Sequence, residues 1–296
     1  MAARGSRALG YDVIVCGSLH LDIVVKAPAL PRIDETAVGS AWSQVCGGKG
    51  GNQAVQATRV GSRTAMIGRI GNDDFGVALQ TNLQSSGVDV SCLSTDETMG
   101  SGMSVAILQD NGDYGAVIVS GANTTLDPLD MQNQWQALGG ARVLVLQNEV
   151  PHLVNVAAAQ AAREQGGLVV LNAAPARAMA ADLIDLVDVL VVNGVEAEAM
   201  AGMVVEDRVS ARIVMPALGS DSRSVVVTLG GEGLVVAAKG EAVIELPAIS
   251  VHVKSTHGAG DCFVGVLAAE LAKGTSLVAA CHVANAQAAL YVSRTS

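Results

Sequence analysis

The amino-acid sequence predicts an α/β fold with a mostly parallel central sheet flanked by helices and a smaller β-sheet that forms a lid. Two observations lead to this prediction. In the second half of the chain, short β-branched runs alternate with Ala-rich stretches of helical character, which is the pattern of a parallel sheet covered on both faces. In the first half, short strands are separated by turn residues, which is typical of hairpins in an accessory sheet.

The predicted strands of the central sheet are short, apolar and rich in Val and Leu. They cover residues 142–146, 168–171, 189–192 and 224–228. The helices predicted between them cover residues 153–165, 179–186 and 208–218. Ligands of such sheets bind at the carboxyl ends of the strands, so we expect the functional residues to follow these strands in the sequence.

The predicted strands of the lid cover residues 22–26, 36–44, 103–109 and 115–119, with a turn at 110–113. We expect hairpins, not crossovers, to connect them, and we assign the lid to two insertions near residues 20–45 and 99–121. A lid over the mouth of the main sheet would exclude water from a transfer reaction. Because α/β folds of this length often form around one sheet, we expect residues 1–296 to form a single domain.

Composition and charge exclude several classes of protein. Half of the residues are hydrophobic and 16% are charged, as in a globular protein. Apolar segments fall short of the roughly 20 residues that cross a bilayer. The net charge of −10 and the aromatic content of 2% are unlike those of nucleic-acid-binding proteins. We therefore expect a cytoplasmic protein with neither nucleic-acid nor membrane partners, which attracts any anionic ligand through helix N-termini, backbone N–H groups and a metal ion.

The cysteines predict no disulfide framework. They are five in number, an odd count, and none forms a C-x-x-C pair: Cys16, Cys46, Cys92, Cys262 and Cys281. We expect reduced and mostly buried thiols.

A glycine-rich turn at residues 258–261 is the strongest candidate for a phosphate site. A P-loop is excluded, because no glycine-rich segment contains G-x-x-x-x-G-K-[ST], and Phe263 replaces the last glycine of a dinucleotide fingerprint. The turn leads into a helical stretch over 261–273, whose first N–H groups form an anion hole. Asp261 could accept a proton from an attacking hydroxyl beside this hole. The alternative is that Asp261 only caps the helix.

Two motifs resemble signatures of the ribokinase family of carbohydrate kinases. Residues 47–54 read GGKGGNQA, similar to the family's G-G-K-G-x-N-Q-A, and residues 255–261 read STHGAGD, similar to D-T-x-G-A-G-D. The resemblance extends from about residue 11 to residue 294. It implies a Rossmann-like parallel sheet with a β lid, and the transfer of the γ-phosphoryl group of ATP, with Mg²⁺, to a primary hydroxyl of a pentose, with ribose favoured.

The resemblance also implies roles for the residues that match the family's catalytic and sugar-binding positions. Asp261 would be the general base, with Gly258, Ala259 and Gly260 forming the anion hole. The sugar would be bound by His20, Asp22, Gly48, Lys49, Asn52, Glu149 and Asp261. Buried polar groups of this kind reject analogues that lack a hydroxyl. Taken alone, Asp22 and Asn52 are more often turn or cap residues, and Glu149 would lie on the surface.

The nucleotide site is implied in the same way. The matching residues are Asn193, Thr228, Gly230, Gly233, Gly260 and Asn285, and Glu196 would order Mg²⁺ through water. The alternatives are local. Asn193 and Glu196 also fit a helix N-cap with its capping partner, and the glycines also suit a plain hairpin.

The chain departs from the family pattern at four places. His20 replaces an asparagine, which puts one sugar hydrogen bond in doubt, and Gly194 stands where glutamate is common. Ser255 replaces an acidic residue, and the printed sequence ends at Ser296, where the family's cation-binding loop would begin. We therefore do not expect strong dependence on a monovalent cation.

Other functions remain open at this stage. A nucleoside such as adenosine or inosine, or another pentose, is an alternative acceptor in the same fold. A non-catalytic binding protein is less favoured, because Asp261 and its glycine-rich turn are retained. An exposed edge of the lid sheet would permit a homodimer through strand pairing.

Overall fold

The computed structural model describes residues 10–109 and 114–294. Its strands, in chain order, are β1 (Tyr11–Cys16), β2 (His20–Ala27), β3 (Ala41–Gly47), β4 (Thr64–Gly71), β5 (Leu93–Asp96), β6 (Met103–Gln109), β7 (Tyr114–Val119), β8 (Ala141–Gln147), β9 (Leu168–Asn172), β10 (Val189–Asn193), β11 (Ser224–Thr228), β12 (Leu234–Ala237) and β13 (Ile244–Leu246). Its α-helices are α1 (Lys49–Arg59), α2 (Asp74–Ser85), α3 (Pro128–Leu138), α4 (His152–Glu164), α5 (Ala181–Ile184), α6 (Gly194–Ala201), α7 (Arg208–Val214), α8 (Ala259–Ala272) and α9 (Leu277–Ser293). Short 3₁₀ helices lie at Gly121–Thr125 and Gly230–Glu232.

The main sheet has the strand order β13-β12-β11-β10-β9-β8-β1-β4-β5. From β11 to β5 neighbouring strands pair in parallel, while β12 and β13 add an antiparallel edge. The prediction of a mostly parallel sheet is confirmed. Strands β1, β4 and β5, which bring the first half of the chain into this sheet, were not predicted from the sequence.

Helices cover both faces of the main sheet. Alternate residues of β1 enter different clusters, Ile14 and Cys16 in one and Val13 and Val15 in the other. The first cluster includes residues of α3 to α7, and the second includes residues of α1, α2, α8 and α9. Burial of both faces explains why the strands read as continuous apolar runs.

The lid is a separate four-stranded sheet with the order β3-β2-β6-β7. Strands β2 and β3 pair antiparallel, as do β6 and β7, but the central pair β2 and β6 is parallel. The expectation that hairpins alone connect the lid was therefore wrong for its centre. The reason is topological, because β4, α2 and β5 of the main layers lie between β3 and β6 in the chain.

Three predicted elements have different bounds in the structure. The strand predicted at 36–44 is Ala41–Gly47, because its partner β2 ends at Ala27 and pairing stops at Lys26 and Ala41. The helix predicted at 208–218 ends at Val214, since Pro216 cannot donate a helical hydrogen bond.

The helix predicted at 179–186 is reduced to α5, because the extended backbone of Ala180 (ψ 148°) precedes it. The turn predicted at 110–113 lies outside the described residues.

The described residues bear on two predictions from composition, which concern membrane-spanning segments and cysteines. Among them, no helix is long and apolar enough to span a membrane. All five cysteines are free; four are buried, and Cys46 is partly buried.

Candidate active site

The predicted base Asp261 lies in the first turn of α8. The N-cap of this helix is Gly258, at φ +76°, and it provides no side-chain cap. A Cβ on Gly258 would also lie 2.8 Å from the hydroxyl of Tyr291, so this position favours glycine both by conformation and by space. The Asp261 side chain bonds instead to α1, and the alternative that Asp261 caps the helix is wrong.

Amides of α1 hold both oxygens of the Asp261 carboxylate. Asn52 Nδ2 donates to Oδ2 at 3.0 Å, and Gln53 Nε2 donates to Oδ1 at 2.9 Å. Burial raises the pKa of Asp261, against the opposing effects of Lys49 and of these two amides. A carboxylate with a raised pKa is a stronger base than an exposed one, which suits proton removal from a hydroxyl.

The N–H groups at the start of α8 face the same region. The first helical hydrogen bond of α8 runs from the N–H of Cys262 to the carbonyl of Gly258. The N–H groups of Gly260 and Asp261 come before it and therefore have no acceptor within the helix. The N–H of Ala259 already donates to the Thr256 carbonyl at 3.2 Å. Of the predicted anion hole, Ala259 therefore has its N–H group engaged, whereas the Gly260 N–H group precedes the helical bonds and is available.

A second polar cluster forms around Glu149, just beyond β8. Glu149 Oε2 accepts hydrogen bonds from the Ser18 hydroxyl and from the Lys49 N–H, the latter at 3.1 Å, and lies 4.0 Å from His20 Nδ1. The exposed fractions of the His20 and Glu149 side chains are only 6% and 16%. His20 Nε2 is buried without a partner among the described residues. The alternative of a surface glutamate is therefore wrong.

Asp22 lies within lid strand β2, not in a turn. Its Oδ1 accepts a hydrogen bond of 2.5 Å from the Ser104 hydroxyl on β6. The neighbouring glycines allow close approach: a Cβ on Gly47 would lie 2.2 Å from Asp22 Oδ2, and one on Gly48 (φ +86°) would lie 2.7 Å from the N atom of His20. Asn52 is likewise inside α1. For Asp22 and Asn52, the turn and cap alternatives are wrong.

A cavity of about 290 Å³ brings most of the predicted nucleotide residues together. Its lining includes Thr228, Gly230, Gly233, Gly260 and Asn285. Apolar side chains such as Val253, Phe263 and Val292 complete the wall. Gly230 and Gly233 also form the β11–β12 turn, so the hairpin alternative is correct for these two glycines and is compatible with their place in the cavity wall.

The space over Gly260 is open, because a Cβ there would meet no atom within 4 Å. Asn285, which also lines the cavity, donates from Nδ2 to the Pro247 carbonyl at 2.9 Å, which fixes this amide on α9.

Asn193 and Glu196 form a capping box at the start of α6. Asn193 Oδ1 accepts from the Glu196 N–H at 2.9 Å, and Glu196 Oε2 accepts from the Asn193 N–H at 2.7 Å. The capping alternative is thus confirmed. Neither residue lines the cavity, but Asn193 is the register partner of Thr228, which does. Among the described residues, no group of three or more His, Cys, Asp or Glu could hold a metal ion.

Several polar residues of the site were not predicted from the sequence. Ser18 and Gln53 contact the predicted residues directly, and Ser104 bonds to Asp22. The buried Asn123 bonds to both the N–H and the carbonyl of Leu19, at 2.9 and 2.8 Å, and so fixes the entry to β2. Gln53 lies inside the GGKGGNQA motif, so the motif could have identified it. Ser18, Ser104 and Asn123 lie outside both motifs, and the sequence contains no comparable signal for them.

A partly buried carboxylate beside free helix N–H groups can deprotonate a hydroxyl and stabilise a migrating phosphoryl group, and the glycine-lined cavity lies next to both. Fold and site together define a small-molecule kinase of the α/β class. The sequence profile of the pfkB family carbohydrate kinase matches residues 11–296. The chain belongs to this family and is a carbohydrate kinase.

Individual relatives agree with the family. The chain is 33% identical to a ribokinase of Lactococcus lactis over 266 residues, 90% of this chain and 85% of that one. It is 34% identical to a ribokinase of Mus musculus over 263 residues, 88% of this chain and 81% of that one. The solved structure of an Arabidopsis thaliana ribokinase complexed with ribose and ATP superposes with a TM-score of 0.87 at 28% identity, covering 96% of this chain and 93% of that one.

Proposed function

We propose that this chain transfers the γ-phosphoryl group of ATP to the primary hydroxyl of ribose and forms ribose 5-phosphate. The observation that carries the proposal is the position of Asp261, which is held by two amides of α1 at the start of α8 and lies beside a residue of the glycine-lined cavity. Ribose is favoured because the relatives described above are ribokinases that the chain matches over most of their length.

The sugar would be held by the polar groups between the lid and α1. Glu149 and Asp22 are acceptors for hydroxyl groups, while Lys49 and Asn52 are donors. Gly48 lets the chain just before α1 approach the start of β2 closely enough for the set to act together. Because His20 and Glu149 are largely buried, a sugar that lacks a hydroxyl would leave polar groups unpaired and would bind less well.

Asp261 would remove the proton of the primary hydroxyl as the hydroxyl oxygen attacks phosphorus. The N–H groups at the start of α8, above all that of Gly260, would stabilise the charge on the transferred group. The residues therefore act mainly by positioning and by electrostatic stabilisation, as is usual in phosphoryl transfer.

ATP would occupy the cavity lined by Thr228, Gly230, Gly233, Gly260 and Asn285. Glycines let the nucleotide approach the backbone, and the apolar wall suits an adenine ring. Asn193, the register partner of Thr228, would approach the phosphates at the same edge of the sheet.

Mg²⁺ fits this site as an ion held mainly by phosphate oxygens and water. The described residues contain no cluster of carboxylates that would hold it directly, and magnesium commonly keeps several waters beside one or two carboxylates. Glu196 is 7% exposed and is anchored to the Asn193 N–H through one oxygen, so it would orient such waters. When bound, the ion would neutralise charge on the phosphates.

The lid, the location and the assembly are parts of the same proposal. The lid sheet would cover the sugar and exclude water during transfer. The enzyme would act in the cytoplasm on a small sugar and ATP, without nucleic-acid or membrane partners. A homodimer would use the lid, whose edge strands β3 and β7 carry exposed apolar side chains such as Trp42 and Val117.

A panel of acceptors tests the proposal. ADP release would be measured with ATP, Mg²⁺ and, in turn, ribose, 2-deoxyribose, other pentoses, adenosine and inosine. Ribose should give the highest kcat/KM. A higher value for a nucleoside would overturn the ribose assignment in favour of the alternative acceptor, and the absence of ADP release with every acceptor would overturn the proposed reaction.

A further inference from the structure

Two buried glutamines form a chain of hydrogen bonds that ends on Asp261. Gln147 is the last residue of β8, and Gln53 lies in α1; both are fully buried. Gln147 Nε2 donates to Gln53 Oε1 at 2.8 Å, and Gln53 Nε2 donates to Asp261 Oδ1 at 2.9 Å. Burial at 0% exposure excludes both glutamines from direct contact with a ligand.

The ionised carboxylate sets the direction of this chain. A carboxylate only accepts hydrogen bonds, so Gln53 must turn its NH₂ group toward Asp261 and its carbonyl oxygen toward Gln147. Gln147 must then present its own NH₂ group. The cost is visible: Gln147 Oε1 is buried without a partner among the described residues, beside Gly17, where a Cβ would lie 1.8 Å from it. An unpaired buried acceptor is unfavourable, and the demand of Asp261 explains it.

The two oxygens of Asp261 differ in what holds them. Oδ2 is bonded by Asn52, a partly exposed residue of α1 that is among the predicted sugar-binding residues and can exchange this bond for one to a sugar. Oδ1 is bonded by Gln53, which is enclosed and is itself held by Gln147. One oxygen is therefore fixed and the other is exchangeable.

We propose that Gln53 and Gln147 are positioning residues that fix Asp261 Oδ1 and leave Oδ2 as the oxygen that accepts the proton of the sugar hydroxyl. The inference rests on the proposed function. In this step the hydroxyl O–H bond breaks and its proton bonds to Oδ2. The oxygen forms a bond to the γ-phosphorus of ATP, and the bond from that phosphorus to the departing ADP breaks.

Other charged or titratable groups interact with Asp261 besides the amides. Lys49 on α1 and Glu149 after β8 act on the Asp261 carboxyl group, and the charge of Asp261 in turn acts on Cys262 on α8 and Tyr291 on α9. Lys49 and the bonds from Asn52 and Gln53 lower the pKa of Asp261, whereas Glu149 and burial raise it. Removal of the Gln53 bond should therefore raise the pKa of Asp261 further, with the other groups unchanged.

The test uses three variants of the full chain: Gln53→Met, Gln147→Met and the double variant. Methionine keeps the volume of glutamine, and the double variant leaves no glutamine unpaired, which protects the fold. Each single variant should lower kcat by about 10- to 100-fold, leave the KM values for sugar and ATP nearly unchanged, and move the acid limb of kcat/KM to higher pH. The double variant should be no slower than Gln53→Met.

The matched control is Gln56→Met, a buried glutamine one turn further along α1. It should retain the acid limb of the wild type. The inference would be overturned if the losses of kcat in the two single variants multiplied in the double variant. It would also be overturned if the acid limb of kcat/KM stayed at the wild-type pH in Gln53→Met and Gln147→Met, because glutamines with a merely structural role would act independently of the base.

A readout without turnover separates this inference from the proposed function. The pKa of Asp261 can be followed by carbon NMR of the ¹³C-labelled aspartate carboxyl groups, with Asp261→Asn used to assign the signal. It should rise in Gln53→Met and in Gln147→Met. If the wild type released no ADP with any sugar, the proposed reaction would fail, and the NMR titration would still decide whether the glutamines control Asp261.

Discussion

Gly258 and Gly260, two residues apart at the start of α8, should respond in opposite ways to replacement by alanine. Gly258 has φ +76°, and a Cβ there would lie 2.8 Å from the Tyr291 hydroxyl. Gly260 lies within the helix, and a Cβ there would meet no atom within 4 Å. The fold therefore requires the first glycine, whereas only a bound ligand would require the second.

The geometry sets the expected magnitudes. Gly258→Ala should lose about 1–2 kcal/mol of unfolding free energy through left-handed backbone strain and about 1 kcal/mol more through crowding against Tyr291. Gly260→Ala should gain up to about 1 kcal/mol, because alanine is the better helix former. Its methyl group would project into the cavity, however, and should lower kcat/KM for ATP by about tenfold or more.

Urea unfolding followed by circular dichroism gives the stabilities, and ADP release gives the activities. The Tyr291→Phe background is the control: it removes the hydroxyl, which is the nearest atom to the added Cβ, so Gly258→Ala should cost less there, while the left-handed backbone strain stays the same. The reasoning would be refuted if Gly260→Ala kept the wild-type kcat/KM for ATP, or if Gly258→Ala left the stability unchanged.

Three further predictions concern substrate, pH and cation. His20→Asn should raise kcat/KM for ribose, because the imidazole of histidine cannot form both hydrogen bonds that the side-chain amide of asparagine forms at the same distance from the backbone. A loss of ribose activity would contradict this prediction. The rate should fall as the pH is lowered through the raised pKa of Asp261, so the acid limb of kcat/KM should lie above the range of an exposed aspartate, and a profile that is flat down to that range would be evidence against the base. Exchange of K⁺ for a bulky organic cation at constant ionic strength should change the initial rate by less than about twofold, because Ser255 offers a neutral hydroxyl where a carboxylate would hold the ion. A several-fold loss would show that a cation site exists.

The sequence predicted those parts of the fold that depend on local pattern. Strands β8 to β11 are apolar runs buried on both faces, and the structure places them within one or two residues of the predicted bounds. The helix after Gly258 was also predicted, because a glycine-rich turn followed by Ala and Leu favours helix initiation. Such features depend on residues that are close in the sequence, so they can be predicted without knowledge of the tertiary contacts.

Contacts between distant residues could not be read in this way. Gln53 and Asp261 are 208 residues apart, and a glutamine inside a helix ordinarily predicts an exposed position. The parallel pairing of β2 with β6 was missed for the same reason, since turn residues at each end indicated only hairpins. The motif located Asn52 and Lys49 at the site, but the fixed and exchangeable oxygens of Asp261 became visible only from the packing of α1 against α8.

The central claim is that Asp261 is the base of a sugar kinase, and Asp261→Asn tests it most directly. Asparagine keeps the shape of the side chain but removes the carboxylate. Sugar-dependent ADP release should fall by about 10²- to 10⁴-fold or more, while the affinity for ATP, measured by calorimetry, stays near that of the wild type. Since burial disfavours the ionised form of Asp261, the variant should also remain folded at neutral pH. A folded variant that kept most of the wild-type kcat with its sugar would contradict the account.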